Sequence, residues 1–484
     1  MFRPSTVAKD FGRENSMSNL GQEQEIKYDR HPEEKRQPEI EVKIGKNKQQ
    51  SGLDQFFKLT ERATDVKTEI LAGITTFVSM SYIIFVIPMM LADAGMPRDA
   101  TLAATIFVAL FATIVFALWS NFPAAVAPGI GLVAFFTYTV VIGEGLTWQA
   151  GLGAVFISGI VFLILTITGI RTMIIYGIPD SLKSAITVGI GLFITFLGLQ
   201  NAGLVISDES NIVAIGDITA TGPLLSLFGL IIAGILTARN VKGGLLLAIL
   251  LTSAVSMIVG YTDSPSSIGE VFSLNIPSFS ETFLAMDLGA AVGFGIVSII
   301  LSFTLVELFD NTGTLIGFAK KAKLVRKDGK IDGIDRALQA DAAGTLLSAS
   351  LGGTALNAYA ENATGIAEGG RTGLKALVVA ALFGCTLFIA PLISYIPTEA
   401  IAPALILVGA FMLPEIKNIA FDDFTIVIPV MLTIIMMPLT FSIAEGLAFG
   451  FISYTLLKLG TGQMKQIHPV MYFVTAAFIL HFII

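Results

Sequence analysis

The chain has 484 residues, 54% hydrophobic and 14% charged, with a mean hydropathy of +0.77 and a formal net charge of −7. This composition excludes an ordinary soluble domain, where charged residues make up about a quarter. The single cysteine, Cys385, sits in an apolar run, and the three histidines, His31, His468 and His481, lie in the polar tail or near the C-terminus, so neither a disulfide framework nor a metal cluster is expected, and no cofactor.

Residues 1–52 are rich in Glu, Lys, Gln and Asn and carry no apolar stretch of signal-peptide type. They read as a disordered cytoplasmic tail, with a regulatory peptide as the alternative. From residue 68 onward, apolar runs of about twenty residues recur, each long enough to cross the hydrocarbon of a bilayer as helix. Runs such as Ala103 to Trp119 and Leu245 to Val259 are apolar on every face, which excludes the alternating strands of a membrane β-barrel.

The first set of seven segments lies near 68–92, 100–119, 122–139, 149–169, 183–203, 222–238 and 242–260, within a first repeat over 53–260. A linker outside the membrane follows at 261–290. The second set, within 291–459, lies near 291–317, 335–351, 354–368, 372–393, 399–413, 424–439 and 441–459, and residues 460–484 end the chain with a further apolar segment. The fold class is therefore an all-α polytopic membrane protein of about fourteen segments.

Orientation follows from the basic residues of the short loops. With the N-terminus inside, Arg171, Arg239, Lys242, the cluster from Lys320 to Arg336, Arg371, Lys417 and Lys458 all fall on the cytoplasmic side, and only Arg98 opposes the scheme. The outer loops 204–221 and 261–286 contain acids and no Lys or Arg. An odd number of segments per half turns the second half upside down relative to the first, the inverted repeat of many transporters.

The third segment of each half is short and interrupted by glycine: Ala127-Pro128-Gly129-Ile130-Gly131 in the first, and Leu351-Gly352-Gly353-Thr354 leading to Ala358-Tyr359-Ala360-Glu361-Asn362 in the second. Pro and Gly there leave backbone groups unpaired within the segment, tolerable at membrane depth only inside protein or beside a cavity. A pair of broken segments in corresponding positions points to a binding site. Ionisable residues inside the apolar spans are the other pointer. They are Glu307, Asp310, Asp341, Glu361, Glu368 and Glu445, with Lys183 and Lys375 nearer span ends, where lysines snorkel to the surface.

Asp310 and Glu361 are placed so that each carboxylate accepts N–H donors from a planar heterocycle, and either one, with Glu307, is a candidate for proton coupling. Glu307 is equally readable as a partner of Lys320. Asp341 reads as a helix-terminal acid, Glu368 as a surface residue and Glu445 as part of another helical bundle. Phe135 and Phe136, after the first break, and Tyr359, before Glu361, are candidates for stacking on a flat base, against the alternative of plain core packing.

Five motifs in order carry a family resemblance: Glu69-Ile70-Leu71-Ala72-Gly73-Ile74-Thr75-Thr76-Phe77, Ala127-Pro128-Gly129-Ile130-Gly131-Leu132, Phe309-Asp310-Asn311-Thr312-Gly313-Thr314-Leu315, Gly369-Gly370-Arg371-Thr372-Gly373 and Met436-Met437-Pro438-Leu439-Thr440. From about Phe57 to the C-terminus the chain resembles the AzgA-type guanine, hypoxanthine and adenine permeases of the nucleobase and ascorbate transporter group. The resemblance implies a core domain (segments 1 to 4 and 8 to 11) and a gate domain (5 to 7 and 12 to 14). It also implies base-binding acids at Asp310 and Glu361, with Tyr359 beside the second and Thr314 about where uracil permease has a histidine; the backbone of Gly129 and Gly131 and the Phe135 ring, read from the first break itself, complete the candidate site. Where relatives carry asparagines, this chain has Ile87 and Val133, and it gains Asn357 and Asn362 beside the second acid.

The function implied is secondary active import of a purine base (hypoxanthine, adenine or guanine) by proton symport at the cell membrane. Partners are the purine, a proton or sodium ion and the lipid bilayer, with no nucleic acid and room for a homodimer. Alternatives are another small substrate on the same fold, such as uracil, xanthine or an anion, then a channel. A membrane-embedded enzyme is disfavoured because no histidine or cysteine stands near the acids to serve as nucleophile or base.

Overall fold

A backbone inside hydrocarbon has no water to bond, so each apolar run closes its N–H and C=O groups within itself as helix. The computed structural model describes residues 52–293, 296–326 and 330–483, with the side chains of 172, 293, 296–298, 309, 310 and 481 outside the description. The expected N-terminal tail, Gly52 apart, and the side chains of Asp310 and His481 thus lie outside the described residues.

After α1 (Gly52–Phe57), the first apolar run forms α2 (Val66–Met80) and α3 (Ile83–Asp93), interrupted at Ser81 and Tyr82. Asp65 starts α2 by accepting the Thr68 amide, as an N-cap aspartate does. Then come α4 (Arg98–Ser120), β1 (Val126–Pro128) and α5 (Ile130–Ala134), which widens into a π-helical stretch over Phe135–Gly143. Next are α6 (Trp148–Ile167), α7 (Ile170–Gly177) and α8 (Asp180–Asn201), the hairpin β2 (Val205–Asp208) and β3 (Ile212–Ile215), α9 (Thr221–Ala238) and α10 (Gly244–Ile258).

The second half runs through α11 (Leu288–Gly293), α12 (Ile296–Lys321), α13 (Ile334–Leu351), β4 (Leu356–Ala358) and α14 (Asn362–Ala367). It continues with α15 (Gly373–Thr386), α16 (Ala390–Ile393), α17 (Thr398–Met412), α18 (Phe424–Thr440), α19 (Ile443–Gly460) and α20 (Pro469–Ile483). Among the described residues nine helices are long and apolar enough to cross a membrane. Shorter apolar helices lie at Ile130–Gly143, Gly244–Ile258, Phe424–Thr440 and Pro469–Leu480. The protein is a polytopic, mostly helical membrane protein, as its composition requires.

Two small sheets depart from the all-α expectation. In the loop after α8, β2 and β3 pair antiparallel around a turn in which Asp208 accepts the amides of Ser210 and Asn211. The other sheet is the pairing of β1 with β4, from the two broken segments, with Ala127 opposite Asn357.

Packing separates the helices into neighbourhoods. α4 lies against α13 and α15, α15 also against α2, and α13 against α6; elsewhere α8 packs on α17 and α18, α18 on α19, and α9 on α10 and α17. The β1–β4 pair sits within the first neighbourhood, against α4, α12 and α13.

Candidate functional site

Strand pairing at membrane depth requires that the outer edges of both strands find partners as well. Here side chains supply them. The Thr113 hydroxyl, from α4, donates to the Val126 carbonyl at 2.8 Å and accepts the Val126 amide at 3.0 Å. On the far edge of β4, Asn311 from α12 donates to the Leu356 carbonyl at 2.9 Å and accepts the Ala358 amide at 2.7 Å. The Leu356 amide donates to the Thr345 hydroxyl of α13 at 3.2 Å.

Two glycines permit this crossing. Gly352 ends α13 with φ +95°, a left-handed conformation that turns the chain toward β4. Gly129 donates its amide to the Ala355 carbonyl at 3.0 Å, and a Cβ added to it would stand 2.9 Å from the Cβ of Asn357. Helices α5 and α14 leave the crossing shortly after their strands.

Glu361 stands immediately before α14 and is half-buried; its Oε1 accepts a 2.8 Å hydrogen bond from the hydroxyl of Tyr82, at the interruption between α2 and α3. Tyr359 is buried and its hydroxyl donates to the Pro128 carbonyl, binding the second break to the first. Asn362 is fully buried: its amide donates to the carbonyls of Ala125 (2.8 Å) and Tyr359 (2.9 Å), and its oxygen accepts the Ala125 amide at 2.8 Å. Tyr359 and Asn362 therefore brace the frame around Glu361.

Glu307 is fully buried in α12, one oxygen accepting the Thr345 hydroxyl at 2.6 Å and the other having no partner among the described residues. The Thr345 hydroxyl thus links Glu307 to β4, and the alternative pairing of Glu307 with Lys320 is not what the structure holds. Asp341 lies two turns into α13, fully buried, and accepts both 2.9 and 3.0 Å bonds from Asn311, so it supports the β4 brace and does not cap a helix. Asp310 lies on α12 one residue before Asn311. Glu368, by contrast, pairs with Lys242 at the surface.

Thr314 lines a cavity of about 320 Å³ with Thr312, Gly313, Lys183, Ser184 and Thr187, between α7, α8 and α12. Gly131 is buried, and a Cβ there would stand 3.0 Å from Ile190 of α8. The Phe135 ring is fully buried and packs edge-on against Phe303 with centroids 4.6 Å apart. Ile87 and Val133 are both fully buried in one apolar cluster.

Three residues of this region escaped sequence reasoning. Tyr82 left one signal, the interruption of an otherwise continuous apolar run. Arg171, placed in a cytoplasmic loop by its charge, is 2% exposed, donates to the Thr312 hydroxyl at 2.8 Å and stacks 4.4 Å over Phe162. Glu69, fully buried in α2, accepts the amides of Arg371 (2.7 Å), Thr372 (3.3 Å) and Lys375 (3.1 Å) at the start of α15. Lys375, expected to snorkel outward, is fully buried instead.

Residues 67–482 match the model described as Permease family. The chain is similar to adenine permease AdeP of Escherichia coli, 40% identical over 431 residues that cover 89% of this chain and 96% of that one. It is also similar to guanine/hypoxanthine permease PbuG of Bacillus subtilis, 41% identical over 441 residues that cover 89% and 99%. Among solved structures, the transmembrane domain of the cyanobacterial bicarbonate transporter BicA shares the fold, with a TM-score of 0.57 at 16% identity over 79% of this chain and 97% of that one.

Proposed function

The chain belongs to the Permease family, and on that premise we propose that it imports a purine nucleobase (adenine, hypoxanthine or guanine) across the cell membrane in symport with protons. A permease, it is a transporter and not an enzyme. The observation that carries the reading is Glu361: a carboxylate beside a buried strand crossing, oriented by the Tyr82 hydroxyl and braced from behind by Tyr359 and Asn362. An ionised carboxylate only accepts hydrogen bonds, so it selects the N–H edge of a base.

In this reading Glu361 and Asp310 hold the base between the two breaks, lined by the backbone of Gly129 and Gly131, with Phe135, Val133 and Thr314 around it. The coupling proton is carried among Asp310, Glu361 and Glu307. Glu307 suits that role because a buried carboxyl with an unpartnered oxygen is costly when charged, and its partner Thr345 bonds strand β4 directly. Segments over 53–260 and 291–459 form inverted repeats, the neighbourhood of α2, α4, α6, α13 and α15 being core and that of α8, α9, α10, α17, α18 and α19 gate, with the N-terminus cytoplasmic.

The test is uptake of a panel of radiolabelled bases by cells carrying the chain, with and without a protonophore. One purine should be concentrated, and the protonophore should abolish its concentration. Concentration that survives the protonophore removes proton coupling, and preference for uracil or xanthine over adenine, hypoxanthine and guanine moves the chain to another substrate.

A further inference from the structure

Lys375 is the one lysine described that is both fully buried and free of any ion pair among the described residues. Its ammonium donates to the carbonyl of Pro123 at 3.0 Å, the carbonyl of Asn362 at 2.9 Å and the side-chain oxygen of Asn362 at 3.3 Å. Three donors thus meet three oxygens. Pro123 leads into β1 and Asn362 opens α14, so the ammonium joins the entries to both halves of the crossing, one residue from Glu361.

The groove is shaped for this stem. A Cβ added to Gly365 would stand 2.8 Å from Lys375 Cε, and one added to Gly370 2.8 Å from Cδ. Thr76, whose hydroxyl has no partner among the described residues, lines the same groove beside Gly365. Glu69 supplies negative charge in the same buried knot, but its oxygens are taken by the amides that open α15.

Backbone carbonyls and an amide oxygen converging on one cation are the ligand chemistry of monovalent metal ions, whose hydration shell such oxygens replace. We propose that the Lys375 ammonium is a built-in cation, a positioning residue that occupies the place of a free monovalent ion where β1 and α14 begin, and that through Asn362, the residue after Glu361, it holds the site so that base binding and transport require no sodium. The inference deepens the transporter reading and rests on it for the binding readout only.

The test uses the purified full chain and its Lys375→Ala and Lys375→Met variants in sodium chloride, methylammonium chloride and choline chloride, reading the melting temperature and the affinity for adenine and hypoxanthine. The wild type should behave alike in all three salts. Lys375→Ala should bind base about tenfold more weakly in choline and recover in sodium or methylammonium, which fit the emptied groove, while choline is too large. Lys375→Met, whose stem keeps the groove filled, should be weakened without rescue. A sodium requirement in the wild type, normal binding by Lys375→Ala in choline, or equal failure of that variant in every salt, failure to fold included, overturns the proposal. Should the wild type bind no purine, the transporter reading falls, and the melting temperatures still decide whether the groove is a cation site.

Discussion

The hydroxyl of Tyr82 and the carboxylate of Glu361 meet at 2.8 Å although 279 residues separate them in the chain. Tyr82 occupies the interruption of the first span and Glu361 the start of α14, so the bond fixes the acid against the opposite half of the protein. A hydrogen bond to a charged group contributes about 1.5–3 kcal/mol. Tyr82→Phe should therefore weaken purine binding by roughly ten- to a hundredfold while leaving the melting temperature near wild type. Unchanged affinity in the purified variant would show that Glu361 needs no orienting partner.

Glu361→Gln keeps the shape of the side chain but exchanges one acceptor for a donor, which opposes an N–H of the base instead of receiving it. Binding should be lost with folding retained. A variant of normal affinity by equilibrium binding would remove Glu361 from the site.

Asn311→Ala should act on stability before it acts on transport. The change strips partners from the Leu356 carbonyl, the Ala358 amide and Asp341, all buried. The Leu356 carbonyl and the Ala358 amide each cost about 1–3 kcal/mol when left unsatisfied, so the loss should be several kcal/mol and visible as a lowered melting temperature in detergent. Asn311→Ala with a wild-type melting curve would mean that β4 does not depend on its side-chain edge.

Gly129→Ala and Gly234→Ala form a matched pair. At Gly129 the new methyl meets Asn357 at 2.9 Å inside the crossing, whereas at Gly234 it meets nothing within 4 Å. The first should abolish base uptake by forcing the strands apart, and the second should transport normally with equal or higher stability, since alanine favours helix over glycine by about 1 kcal/mol. Equal uptake by the two variants would show that the close approach of β1 and β4 is not required.

If Ile87 and Val133, both fully buried in one apolar cluster, face the space that holds the base, they form a wall that offers it no hydrogen-bonding side chain where relatives carry asparagines. A polar edge of the base facing such a wall stays unpaired, so hypoxanthine or adenine should be preferred over guanine or xanthine. The double variant Ile87→Asn with Val133→Asn should change the rank order of bases in a competition assay. If the order stays as it was, substrate choice is set elsewhere in the site.

Much of this protein is written locally in its sequence. Apolar length and the absence of charge set the spans, because the hydrocarbon interior penalises each polar group wherever it stands, and the broken third segments follow from Pro128, Gly129, Gly352 and Gly353, whose effects act within a turn of chain. The same locality made Glu361 and Glu307 visible as acids in apolar surroundings. What those acids touch was settled only by the tertiary structure. The pairing of β1 with β4, the bond from Tyr82 to Glu361, the burial of Arg171 against Thr312 and the capture of Lys375 by Pro123 and Asn362 all join residues from separate segments. A lysine near a span end carries the same local pattern whether its stem runs outward to water or inward to a ring of carbonyls, and only the neighbours that folding brings to it decide which direction costs less.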